Sequence, residues 1–241
     1  EVLKAEECPQ ELLRPVFAGR TAIEWHRVKD FQLVSLKLLA EQLLLGCPGN
    51  EAAERLALYI PGELPRQKLA MSKKVVLYAS PHNPGATAVA ADLAAGMEGV
   101  VVSSERPLSA THFLLYLNSQ TYEGEPGERL ADELRAARAA GSKTAIVMVH
   151  ENDAARGGCE FGIFFACTPQ DLLEGGIYTD LALALYSGPF WPVSVALAAH
   201  ALGAHEREKG FSTAAAERKA APLLRTSSAA SGGSGVASGA V

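Results

Sequence analysis

Residues 112–150 read HFLLYLNSQTYEGEPGERLADELRAARAAGSKTAIVMVH. Phe113 to Leu117 is an unbroken apolar run of strand length. A polar loop follows, then an Ala- and Arg-rich segment in which Leu130 and Leu134 stand four apart, on one face of a helix. Gly141 supplies a helix stop, and Ala145 to Val149 is a second apolar run. Strand, helix and strand in this order make a βαβ unit. Strands that are apolar throughout, rather than alternately, belong to a parallel sheet covered on both faces.

The same alternation extends outward in both directions. Upstream, Val75 to Ala79 is a first strand, Pro81-His82-Asn83-Pro84-Gly85 turns into a helix from Ala86 to Gly96, and Val100 to Ser103 is a second strand. Downstream, a loop from His150 to Gly158 leads to Phe161-Gly162-Ile163-Phe164-Phe165, read as the fifth strand. Thr168 then serves as an N-cap with Pro169 at the first helical position, and Tyr178 to Tyr186 and Val193 to Leu202 read as the last helices. Residues 72–204 therefore predict an α/β domain, flavodoxin-like, with a five-stranded parallel sheet and flanking helices.

Two segments flank it. Residues 1–71 read as a helical N-terminal extension. Thr21 and Glu24 have capping-box spacing, and the run that follows through Leu45 is apolar on most sides until Gly46-Cys47-Pro48-Gly49 ends it. A helix of that kind needs cover on two faces, so it is expected to lie between the domain and something else. In residues 205–241, Ser212 to Leu224 has amphipathic character and the stretch from Ser227 on is Ser-, Gly- and Ala-rich, the chemistry of a linker with no core of its own. Helix 27–45 and tail 227–241 are thus the expected contacts with a protein partner or larger assembly.

The bulk numbers narrow the partners. With 48% apolar residues the chain has the means for a full core. A net charge of −5 and no dense basic face argue against nucleic acid. The longest apolar stretch, Phe31 to Leu45, carries Lys37 and Glu41 and is too short and too polar for a membrane span. Cys8, Cys47, Cys159 and Cys167 lack CxxC spacing, which suits free thiols in a reducing intracellular compartment, cytoplasmic by default.

Ligands of open parallel sheets bind beyond the carboxyl ends of the strands, where strand order reverses. The loops that would flank that crevice supply Ser80, His82, Asn83, Asn118, Gln120, Tyr122 and Glu123, and the helix beginning at Gly85-Ala86-Thr87 presents free backbone N–H groups. Ser80, His82, Asn83 and Asn118 are the candidate nucleotide-binding residues. The loop has no Lys of the phosphate-loop kind, which weakens an ATPase reading, and an ordinary Pro- and Gly-containing turn is the simpler account. His150-Glu151-Asn152-Asp153 with Cys159 nearby matches no metal motif, so no metal is assigned. Cys159 has no activating partner in the sequence and reads as a small buried residue. Trp25-His26 and Phe190-Trp191-Pro192 read as packing or interface anchors. Asp132 and Glu133, between the core leucines, are expected to point sideways or outward.

Read in order, Leu117-Asn118-Ser119-Gln120-Thr121-Tyr122, then Leu130-Ala131-Asp132-Glu133-Leu134, then Thr144 to Val149 resemble the third strand, loop, helix and fourth strand of a Toll/interleukin-1 receptor (TIR) domain. The resemblance covers residues 72–204. The stretches GGCEFGIFF (157–165) and GPFWPVSVALAAHALGA (188–204) are also similar to a TIR-like module of unicellular algae. The resemblance implies one of two activities. Many TIR domains are scaffolds that self-associate; some cleave NAD at the nicotinamide–ribose bond with a Glu on the helix after the third strand. Glu133 stands at that position, with NAD as substrate and no further cofactor. Only Glu105 to Thr111 separate the second and third strands, where a TIR domain places a long loop and a helix, and the Cys or Trp that precedes the Glu in the family is absent. The resemblance so implies a degenerate module: a non-catalytic interaction or scaffold subunit first, an NAD hydrolase second.

Overall fold

The computed structural model describes residues 11, 22–50, 58–64, 69–95, 97–105, 110–139 and 143–206. All belong to one compact unit, residues 1–207; the second unit, 208–241, lies outside the described residues. Also outside them are Thr21 of the capping box, the helix end at Gly96, residues 106–109 of the short connection, the stop at Gly141, the 212–224 segment and the 227–241 tail.

The described elements are α1 (Lys29–Leu45), β1 (Leu69–Met71), β2 (Val75–Ala79), α2 (Ala86–Ala95), β3 (Val100–Ser103), β4 (His112–Leu117), α3 (Gly124–Arg138), β5 (Ala145–Glu151), α4 (Phe164–Cys167), α5 (Gln170–Glu174), β6 (Leu183–Leu185), α6 (Trp191–Ala201) and β7 (Ala204–Glu206). Five strands form one sheet in the order β3-β2-β4-β5-β6, every neighbouring pair parallel. This is the flavodoxin-like α/β arrangement, and strand order reverses between β2 and β4.

Each sheet face is covered by helices, and successive side chains of a strand go to opposite faces. Leu77, Ala79, Leu114, Tyr116 and Val149 pack with Val89 and Leu93 of α2 and Ala198 and Leu202 of the α6 end. Tyr78, Phe113, Leu115, Leu117 and Met148 pack with Leu130 and Leu134 of α3, Phe164 of α4 and Leu172 of α5. Burial on both faces is why these runs read as apolar without alternation.

The structure corrects the sequence reading at the last strand. Residues 161–165 are a 3-10 turn and the start of α4, not a strand; there only Phe164 is buried, while Phe161, Phe165 and Tyr178 meet edge to face. The fifth strand is β6, inside the stretch read as a helix, and it pairs Leu183 with Val149 and Leu185 with Glu151. Both segments are short apolar runs, for which periodicity does not separate strand from helix. Pro169, not Thr168, occupies the N-cap of α5. The helix of the N-terminal extension starts at Lys29 behind Val28, so Glu24 lies before it rather than in a first helical turn.

α1 buries Phe31, Val34 and Ser35 and packs through them on Phe190 and Val193. Lys37 reaches Glu63 at 2.6 Å, and Ser35 Oγ donates to the Glu24 carbonyl at 2.6 Å. The expected cover on a second face is not supplied by the described residues: Leu36, Leu39, Leu43 and Leu44 are exposed.

Candidate functional site

Strand order reverses between β2 and β4, and the loops beyond their carboxyl ends carry the expected residues. Ser80 is fully buried, and its Oγ accepts the His82 amide at 3.0 Å. Asn83, also buried, binds the Tyr116 backbone twice: its Nδ2 donates to the carbonyl and its Oδ1 accepts the N–H, both at 2.8 Å. Asn118 donates from Nδ2 to the Pro84 carbonyl at 2.8 Å and accepts the Gln120 amide at Oδ1, 2.9 Å. These side chains stitch the β2 loop to the β4 loop. Gly85 completes the closure. It has φ +84°, and a Cβ there would lie 2.7 Å from Cε1 of Tyr116, so both conformation and space call for glycine. Of the four, His82 alone is not buried.

Glu133 sits on α3, whose Leu130 and Leu134 are buried in the sheet. Asp132 points outward and pairs with Arg135 at 2.7 Å. Glu133 departs from the sequence expectation and turns toward β2. Its Oε1 accepts the Tyr78 hydroxyl at 3.1 Å and lies 3.9 Å from Nε2 of His82. Its Oε2 is buried with no hydrogen-bond partner among the described residues. Burial, then the charge and hydrogen bond of Glu133, push the Tyr78 phenol up to about 12, against a small opposing effect of Ser80. Tyr78 therefore stays a hydroxyl donor at any ordinary pH. A carboxylate with one oxygen held and the other unengaged, beside an imidazole, suits proton transfer or stabilisation of a cationic centre. The fold thus brings His82 to Glu133, with Ser80 reaching it only through Tyr78, while Asn83 and Asn118 serve the loops.

Tyr78 has no place in the sequence reading, although a tyrosine inside a buried strand must find a partner for its hydroxyl. A second polar group lies at the end of β5. Glu151, buried at the end of β5, accepts the Tyr116 hydroxyl at 2.7 Å and the Asp153 amide at 2.9 Å, and Arg156 reaches it at 3.2 Å while lying 4.8 Å above the Trp191 ring. His150 bonds the Cys159 carbonyl at 2.8 Å. The 150–153 run is thus drawn into separate contacts, and among the described residues no three His, Cys, Asp or Glu side chains gather as metal ligands. Burial pushes the Cys159 thiol up, away from a reactive thiolate. Cys47, Cys159 and Cys167 are free thiols. No described helix is long and apolar enough to cross a membrane.

Compared with family models, curated proteins and solved structures, the chain matches none of them.

Proposed function

We propose that this chain is a non-catalytic interaction subunit built on a TIR-like domain. The observation that carries the reading is the outer face of α1, where Leu36, Leu39 and Leu43 recur at helical spacing and stay exposed, Leu43 at 73%. Leu44, Val28 and Trp25 are exposed as well. A patch of this kind marks a protein contact more often than free surface. The partner it suits is an apolar helix or groove of another protein. Leu38 packs toward Phe31 and Phe190, so it is a poor position at which to test the contact. Leu36→Asp with Leu43→Asp should release the chain from co-purifying protein, or from self-association, in light scattering. A chain that is monomeric and unpartnered before substitution would overturn the reading.

The second reading, an NAD hydrolase (NAD nucleosidase), rests on the Glu133 carboxylate and its position against Tyr78 and His82. As nicotinamide leaves, a carboxylate there would stabilise the oxocarbenium-like ribose. Release of nicotinamide by purified protein, abolished in Glu133→Ala, is the expected outcome of that reading. Release that survives the substitution would remove Glu133 from it.

A further inference from the structure

A cavity of about 1190 Å3 opens at a different place, beyond the carboxyl ends of β5 and β6. The loops after those strands make one wall; residues 22–24 and the Leu38 and Gln42 positions of α1 make the other. None of the residues around Glu133 takes part.

Its chemistry has one sign. Glu24 and Asp153 bring two carboxylates, and no Lys or Arg stands among the described lining residues. Asp153 is held as an anion: the Ser187 hydroxyl, then the Ala155 amide at 2.9 Å, keep its carboxyl below the usual range. Arg156, which follows in the same turn, is paired with buried Glu151 and lies over the Trp191 ring, and its charge is the last and least of the effects on Asp153. Glu24 is mostly exposed, with the His26 ring at 3.3 Å. Behind the carboxylates lie Tyr186 and Phe190, members of an aromatic group with Phe31 and His26. An anion entering here would meet two like charges. A neutral apolar molecule would leave them unanswered. A cation with an apolar body answers both, with its charge toward the carboxylates and its body against the partly accessible Tyr186, Leu38 and Ile23.

We propose that this cavity binds a small organic cation, an amine or quaternary ammonium group carrying an apolar substituent. The proposal is independent of the readings given for α1 and Glu133.

The test is a nuclear magnetic resonance titration of the full chain with benzyltrimethylammonium, beside phenylacetate and benzyl alcohol as the anionic and neutral molecules of similar size. The cation should shift the amides of Asn152, Ser187 and Gly188 and saturate them; the other two should not. Glu24→Gln should weaken binding roughly threefold, as loss of one solvent-exposed charge does, and Glu24→Asp should restore it. Gln42→Lys, at an exposed position on α1, should bring a positive charge into the cavity lining and weaken the cation's shifts while the rest of the spectrum stays that of the folded chain. Absence of shifts at these amides, equal binding of phenylacetate, or undiminished binding of the cation in Gln42→Lys would overturn the proposal.

Discussion

Two places at the carboxyl end of the sheet are built in opposite ways. At the β2–β4 reversal, where the architecture invites a ligand, Ser80, Asn83 and Asn118 are turned inward and bonded to backbone. Beyond β5 and β6, where the architecture promises nothing, the walls stand apart and Glu24 and Asp153 are among the residues lining the space. A topological reversal offers a place for a site, while the side chains decide whether the place is closed by the protein or left to something else.

Five substitutions bear on this contrast. The largest effect is expected at Arg156→Ala, which strips the buried Glu151 carboxylate of its counter-charge and loosens the loop after β5. A cost of about 3 kcal/mol is expected, some of it offset by solvent at the Arg156 side. Urea denaturation reads it, and a neutral result would mean that the second of these places is not anchored by this pair. Next is Asn83→Ala. If Asn83 is a stitch between the two loops, the buried Tyr116 N–H loses its partner, while the Tyr116 carbonyl keeps the Thr121 hydroxyl at 3.0 Å, and about 2 kcal/mol goes with the loss. If it were a ligand residue, stability would barely change.

Tyr78→Phe is smaller, about 1 kcal/mol for one hydrogen bond, and leaves Glu133 attached only to the neighbourhood of His82. The phenol itself can be followed by ultraviolet absorbance. Its folded value is raised from 10.0 to about 12, so the stabilisation from this bond is complete below about pH 10 and disappears as pH climbs through 12. Glu133→Gln should move that titration downward, because it removes a negative charge. The smallest stability effect is expected for Leu43→Asp, under about 0.5 kcal/mol on an exposed helix face. A large loss there would mean that the described chain itself covers this leucine.

The paired apolar strands around Phe113 and Ile146 were legible because burial on both faces leaves a signature that no helix with a polar side shares. β6 was not, since Leu183-Ala184-Leu185 is too short for a period and is recognisable only by its ladder with β5. The FGIFF run misled for the complementary reason. Its residues are apolar, but their partners are one another in an aromatic group rather than a neighbouring strand. At the candidate site, Glu133 was legible as a position and not as an orientation. What turns it inward is Tyr78, 55 residues earlier in the chain, a contact that no local pattern encodes. The closure of the β2 loop by Asn83 was hidden in the same way, 33 residues from Tyr116.

β1 and β7 are a separate two-stranded antiparallel ribbon, with Leu69 opposite Glu206 and Met71 opposite Ala204. The chain comes into the α/β body and leaves it side by side, through a clasp three residues long on each strand. Tension applied at Leu69 and Glu206 would meet this clasp first, and would open it rung by rung from its outer end instead of shearing all rungs together. Because Ala204, Leu69 and Met71 pack on the same core as Leu77 and Leu93, parting the clasp would uncover one edge of that core, and the ribbon fastens the sheet as well as joining the two chain segments.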